Sequence, residues 1–200
     1  LTGSRRPFAF QGVKLRLGPG RLLPGKEVAP APPPPPGPFA PLEARRDYLD
    51  HLRKSAQGLA LKRGVVYLDA MGGAGGGILG QVLKRLEAPV ELRELHPLPH
   101  PLLYGVAPDP RPEHLRTLRL LLREAKPPAL GLALDGDADR LGVYLPGGEA
   151  LPGDQALARL REAAQGREVE ALGEGAYRFP WHLEEPDPFL AALLLMGVLL

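Results

Sequence analysis

Cysteine is missing from the 200-residue chain. That excludes disulfides, thiolate nucleophiles and cysteine-ligated zinc. A charge of one sign is missing as well. The 25 Lys and Arg face 23 Asp and Glu for a net charge of +2, too balanced to point to a nucleic-acid partner. No apolar run is long enough to span a bilayer; the longest, residues 189–200, falls well short of about 20 residues. No charged-then-apolar leader follows Leu1, and there is no internal repeat. The expectation is a cytoplasmic protein with neither a membrane nor a nucleic acid as partner. Hydrophobic residues are plentiful at 44%, enough for a core, which excludes wholesale disorder. Gly and Pro number 25 each, so turns are frequent. The length suits one domain or two small ones.

Along the chain, residues 1–28 are basic and broken by Gly and Pro, with one candidate strand over 12–17. Residues 30–38 hold five consecutive prolines, which cannot enter a helix or sheet interior and favour polyproline II. They read as a stiff spacer or, on composition alone, as a ligand for an SH3-type domain. Residues 43–54 predict an amphipathic helix. Strands are predicted at 65–68, 90–95, 129–134 and 141–145, and helices at 78–86, 113–125, 154–164 (capped by Asp154) and over the last eleven residues. Pro112 suits a first helical turn, where its missing N–H is not needed. The order strand–helix–strand–helix–strand between 65 and 134 makes the fold class α/β, with a mainly parallel mixed sheet covered by helices. Trp181 and the apolar tail read as core.

The strongest chemical signal is Asp135-Gly136-Asp137-Ala138-Asp139-Arg140. An apolar strand runs directly into three carboxylates at alternate positions. Their repulsion is relieved when a cation sits between them, and small residues at 136 and 138 let the loop fold so that the oxygens converge. All-oxygen donors suit a hard divalent ion, and Mg²⁺ commonly works beside a phosphate. The carboxyl end of a buried strand is also where open α/β sheets bind ligands. Arg140 offers a phosphate fork. An EF-hand is excluded, because Arg140 and Pro146 stand where it needs Gly and Glu; the competing bland reading is a solvated acidic turn. A second signal, Gly75-Gly76-Gly77-Ile78-Leu79-Gly80 with Glu94 beyond it, matches a dinucleotide fingerprint formally. In so glycine-rich a stretch it reads equally well as a tight strand-to-helix turn. A third, Thr2-Gly3-Ser4-Arg5-Arg6-Pro7 with Lys14 downstream, reads as a phosphoryl site, since cations flank a hydroxyl, or as a basic surface turn. The five His, at 51, 96, 100, 114 and 182, show no metal-ligand spacing, and His96 and His100 read as loop residues.

In this order the pieces resemble the α-D-phosphohexomutase family, the phosphoglucomutase/phosphomannomutase group. The family's serine loop corresponds to residues 2–7 and its Asn-Gly-x-Lys to Gln11-Gly12-Val13-Lys14. Its Gly-Ala-Gly-Gly turn corresponds to residues 73–76 and its proline-rich segment to residues 108–115. Its Asp-Gly-Asp-x-Asp-Arg loop is intact at 135–140. Gly153-Asp154-Gln155 falls where the family's third domain begins, and Gly173-Glu174 where its sugar-reading loop stands. The resemblance implies the end of a first domain at 1–28, a linker at 29–42, a metal-binding second domain at 43–150 and part of a third at 151–200.

What the resemblance implies chemically is phosphoryl transfer between positions of a hexose phosphate through a bisphosphorylated sugar. Ser4 would carry the phosphate, and Asp135, Asp137 and Asp139 would hold Mg²⁺, which also touches a phosphoserine oxygen. Lys14 would handle a proton, Arg140 would contact phosphate, and Glu174 with Arg178 would meet the substrate. The chain departs from the family pattern at three places. Arg5-Arg6 replace His-Asn, Gln11 replaces Asn, and Ala176-Tyr177-Arg178 replace Ser-Gly-His. Three readings follow: a mutase, a relative that binds Mg²⁺ and a phosphorylated ligand without isomerising it, and a nucleotide-binding domain.

Overall fold

The computed structural model describes residues 15–17, 21–23 and 43–200. Ser4, Lys14 and the proline run lie outside them. Of the strand predicted over 12–17, residues 12–14 lie outside the described residues, and the rest forms β1 (Leu15–Leu17), paired antiparallel with β2 (Arg21–Leu23).

The centre of the molecule is a four-stranded sheet. Its strands are β3 (Gly64–Asp69), β4 (Val90–Leu95), β5 (Ala129–Leu134) and β6 (Leu141–Tyr144). Their order is β4-β3-β5-β6, with β4 and β5 both parallel to β3 and β6 antiparallel to β5. The predicted mainly parallel mixed sheet is therefore present. Two helices make the crossovers, α2 (Ile78–Arg85) between β3 and β4 and α3 (Arg116–Glu124) between β4 and β5. β3 connects towards one edge of the sheet and β5 towards the other, so their carboxyl ends flank the crevice where open α/β sheets hold ligands.

β5 (Ala-Leu-Gly-Leu-Ala-Leu) is buried at every position, as befits a strand covered on both faces. One face packs on α3 through Leu118, Leu122, Tyr67, Ala133 and Tyr144. A Cβ on Gly131 would lie 2.4 Å from Leu122 Cδ1, so the missing side chain is what lets α3 approach. The other face, carrying Val66, Leu68, Leu130, Leu132 and Leu134, packs under α2, α1 (Ala44–Ser55) and α5 (Pro188–Leu199). α1 buries Leu49 and Leu52 and exposes its charges. α5 is apolar on every side and buried from Pro188 to Met196, the pattern of a helix enclosed by protein. No described helix is long and apolar enough to cross a membrane.

α4 (Gly153–Ala163) and a small antiparallel sheet complete this side, with strands β7 (Glu170–Ala171), β8 (Tyr177–Phe179) and β9 (Leu183–Pro186). These short strands are absent from the sequence reading, because two to four residues are too few to show alternation. Four other expectations are corrected. The helix placed at 113–125 is a 3₁₀ turn over Pro112–His114 followed by α3 from Arg116. Asp154 sits inside the first turn of α4, and Pro152 occupies the cap position. The last helix begins at Pro188, where Asp187 caps it by accepting the N–H groups of Phe189 and Leu190. Trp181 is half-buried rather than core: Arg167 lies 3.7 Å over its ring and its Nε1 donates to Glu168 O.

Candidate metal and phosphate site

The acidic loop grows out of the buried end of β5. Asp135 is fully buried, and its Oδ1 accepts the backbone N–H groups of Asp139 and Arg140 at 3.0 and 3.1 Å. One carboxylate oxygen thereby closes the turn on itself. Ala138 N–H donates to Asp135 O at 3.1 Å, and Ala138 takes φ 56°, a left-handed conformation that a small side chain tolerates better than a branched one. Asp135, Asp137 and Asp139 each bring an oxygen to within 4.8 Å of the other two. Arg140 Nε stands 3.8 Å from Asp135 Oδ2 and 3.6 Å from Asp139 Oδ1. Three carboxylates gathered this closely repel one another, and a cation between them relieves that repulsion. The donor set is all carboxylate oxygen, the chemistry that a hard divalent ion takes. Asp135, Asp137 and Asp139 fit that group.

The glycine-rich turn after β3 is pressed against this loop. Ala74 N–H donates to Gly136 O at 3.0 Å, and a Cβ on Gly73 would lie 2.6 Å from the same oxygen. A Cβ on Gly75 would meet Leu134 Cδ1 at 2.4 Å and one on Gly76 would meet Pro97 O at 1.8 Å. Of the three glycines in the dinucleotide pattern, Gly75 is crowded by the chain itself, with Gly73 and Gly76 beside it, whereas Gly77 and Gly80 have ordinary contacts. Glu94, the acid that completed that fingerprint, has its Oε1 on Gly77 N–H at 2.8 Å. The turn packs and positions the acidic loop, and the nucleotide-binding reading loses its support.

Glu174 lies on the loop between β7 and β8. Leu141 N–H, one residue past Arg140, donates to Gly175 O at 2.9 Å, which draws this loop to the rim of the acidic one. Glu174 is exposed and pairs with Arg111 at 3.5 Å; Arg111 Nε also reaches Asp109 Oδ2 at 3.2 Å. Tyr144 OH donates to Pro110 O at 2.8 Å and holds residues 108–112 against β6. A cavity of about 190 Å³ lies among Asp109, Arg111, Glu174, Tyr144 and Gly153. Arg178, on β8, is paired with Glu170 of β7, its Nε donating at 2.9 Å across the strand register. Sequence reasoning gave no role to Asp109, Arg111 or Tyr144; it matched residues 108–115 to the family's proline-rich segment without assigning any residue there a function.

Fold and site together define an α/β domain that gathers three carboxylates at the carboxyl edge of a mainly parallel sheet. Residues 46–148, just over half of the chain, match the family described as phosphoglucomutase/phosphomannomutase, alpha/beta/alpha domain II. The chain is 30% identical over 174 residues to a phosphoglucomutase of Neisseria meningitidis serogroup B and 31% identical over 169 residues to one of Neisseria gonorrhoeae, with 78% of this chain and 35% of each relative covered. A solved structure from Thermus thermophilus, described as a phosphomannomutase, superposes with TM-score 0.69 at 29% identity over 82% of this chain and 48% of that one. A Burkholderia thailandensis phosphoglucomutase/phosphomannomutase family structure shares the fold at TM-score 0.60 and 20% identity, over 78% of this chain and 43% of that one. The chain belongs to the phosphoglucomutase/phosphomannomutase family, whose members are isomerases of carbohydrate metabolism. It spans about a third of the length of the curated relatives it matches.

Proposed function

We propose that the chain serves a Mg²⁺-dependent phosphohexomutase that moves a phosphoryl group between the 1- and 6-positions of a hexose such as glucose or mannose. The observation that carries this is the trio Asp135, Asp137 and Asp139, with oxygens within 4.8 Å of one another at the end of a buried strand. Mg²⁺ held there would supply positive charge against a transferring phosphoryl group. Ser4 would carry the phosphate and would offer one of its oxygens to the Mg²⁺. Lys14 handles the proton at the serine, and Arg140 turns its guanidinium to a phosphate oxygen. Glu174 accepts hydrogen bonds from sugar hydroxyls and Arg178 meets the substrate beside it. Little covalent help is needed for phosphoryl transfer, so positioning and preorganised charge provide most of the acceleration. In this reading residues 1–28 end a first domain, 29–42 link it onward, 43–150 form the metal-binding domain and 151–200 belong to a third. The protein works in the cytoplasm.

One observation favours a second reading, a relative that binds Mg²⁺ and a phosphorylated ligand without isomerising it. Arg178, which stands where the family pattern has the histidine of its sugar-reading loop, lies on β8 and is engaged by Glu170. An isomerase assay on the full chain with Mg²⁺, a bisphosphate primer and glucose or mannose 1-phosphate separates the two. The mutase gives the 6-phosphate, and its intact mass carries one phosphate that Ser4→Ala removes. Absence of turnover with both sugars overturns the mutase reading in favour of the binder.

A further inference from the structure

Three loops at the carboxyl edge of the sheet are tied to one another. Gly72 N–H donates to His96 O at 3.1 Å, His100 N–H donates to Gly72 O at 3.0 Å, and Ala74 N–H donates to Gly136 O at 3.0 Å. The loop after β4 is thereby joined, through the glycine turn, to the acidic loop. Within this edge stands a pair of groups that the reaction described above does not use.

Asp69 is the last residue of β3, and only 3% of it is exposed. Its Oδ1 accepts Met71 N–H at 2.9 Å and lies 2.9 Å from His96 Nδ1. An ionised carboxylate can only accept, so Nδ1 carries the hydrogen; in the neutral ring Nε2 then keeps its lone pair. No described residue hydrogen-bonds that Nε2, and 35% of the side chain is open to solvent. Tyr104 packs on the ring at 4.7 Å and stacks on His100 at 4.5 Å. His100 Nδ1 accepts the N–H groups of Leu102 and Tyr104 at 3.2 and 3.3 Å, which fixes the opposite tautomer there. The backbone is unusual throughout. Met71, His96, Leu103 and Tyr104 have φ of 49°, 49°, 48° and 55°, in a region that non-glycine residues occupy rarely and that concentrates at functional sites.

We propose that His96, oriented by Asp69, is the proton acceptor for a substrate hydroxyl at this edge; this rests on the phosphoryl-transfer reading. The hydroxyl O–H bond breaks and its proton passes to His96 Nε2. The oxygen's electron pair forms the new P–O bond, and the pair of the departing P–O bond stays on the serine oxygen. In the return half-reaction the imidazolium gives the proton back. Asp69 does not touch the substrate. It is a positioning residue that holds the tautomer and steadies the transient cation.

The test uses His96→Asn, since Asn tolerates positive φ, and Asp69→Asn, which keeps an acceptor for Met71 N–H. In a chain that turns over, His96→Asn should lower kcat by about 100-fold or more with KM changed by only a few-fold. It should also abolish the acidic limb of the pH–rate profile while the unfolding midpoint stays near wild type. Asp69→Asn should lower kcat and shift that limb. Wild-type kcat and pH profile in His96→Asn overturn the proposal. Where the wild type itself does not turn over, the mutase reading has failed, and histidine ¹⁵N NMR decides for the pair. Glucose 1-phosphate with Mg²⁺ must then shift His96 Nε2 in wild type and not in Asp69→Asn; no shift overturns it.

Discussion

Asp135 uses its two oxygens differently. Oδ1 closes the loop on the amides of residues 139 and 140, and Oδ2 faces Arg140. Asp137 is half-buried in the trio, so its charge can be removed with less damage to the turn. Without metal, Asp137→Asn relieves repulsion among like charges, and the unfolding midpoint should stay equal or rise slightly. With Mg²⁺ the order reverses. A folded state that binds the ion is stabilised by about 2.7 kcal/mol at a hundred times Kd, some 5–10 °C for a chain of this size, and the variant should lose that gain. Thermal unfolding with and without Mg²⁺ reads both signs, and a midpoint rise retained in Asp137→Asn would place the ion elsewhere. Gly73 supports the same loop through an absence. An added Cβ 2.6 Å from Gly136 O forces the two loops apart. Gly73→Ala should lower stability by about 1–3 kcal/mol, as overpacking does, and weaken Mg²⁺ binding with every ligand intact. Urea unfolding and a Mg²⁺ titration check the two effects separately.

At the scale of elements, α5 depends on one residue before it. Asp187 Oδ1 caps the helix, while its Oδ2 accepts Tyr48 OH at 2.9 Å and lies 2.8 Å from His182 Nε2. His182 Nδ1 in turn meets Ser55 Oγ at 2.7 Å, and its ring stacks on His51. A single buried carboxylate thus joins α1, the turn after β8 and α5. Asp187→Ala removes the cap and strands a buried phenol and imidazole, a loss of about 2–4 kcal/mol. Asp187→Asn, which keeps the capping oxygen, should lose less. Urea unfolding of the two variants measures the difference; equal losses would mean that the cap contributes little. This network was not legible in the sequence, because its members stand up to 139 residues apart and none belongs to a local motif. The acidic loop was legible because its chemistry is local: three carboxylates, two small residues and an arginine in six positions. Three strands of the central sheet, β3, β5 and β6, were legible for a related reason, since largely buried strands are apolar runs with turn residues at both ends; β4, Val-Glu-Leu-Arg-Glu-Leu, alternates apolar and charged residues instead and is only half-buried. β7–β9 were not legible, and the start of α3 was misplaced because a proline suits the first turn of a 3₁₀ or an α-helix equally. Glu94 shows the converse error. Its position fitted a ligand-binding pattern, and tertiary packing assigns it to Gly77 N–H.

Over the whole molecule, buried phenols are spread through the layers. Tyr144 lies between the sheet and α3, Tyr48 joins α1 to α5, and Tyr177 sits in the small sheet beneath α4. Burial pushes all three phenols upward from their ordinary value. Asp187 adds to the rise at Tyr48; at Tyr144, Arg119 pulls the other way and Glu113 and Asp109 restore it. The sign for stability follows. The unfolded chain releases these protons near pH 10, whereas the folded chain holds them. Their contribution is therefore complete below about pH 10 and is lost as the pH rises beyond it, at up to about 1.4 kcal/mol per pH unit for each phenol that stays protonated in the folded state. The urea midpoint should be flat in this respect from pH 8 to 9.5 and then fall steeply. The fall should draw on both faces of the sheet at once. Tyr144→Phe, which also loses the bond to Pro110 O, should start from a lower midpoint and descend less steeply. Tyr48→Phe should descend less steeply as well, because its phenol lies in a separate cluster and the two effects add across distant sites. A double variant with the wild-type slope would show that the buried phenols do not set the alkaline limit of this fold.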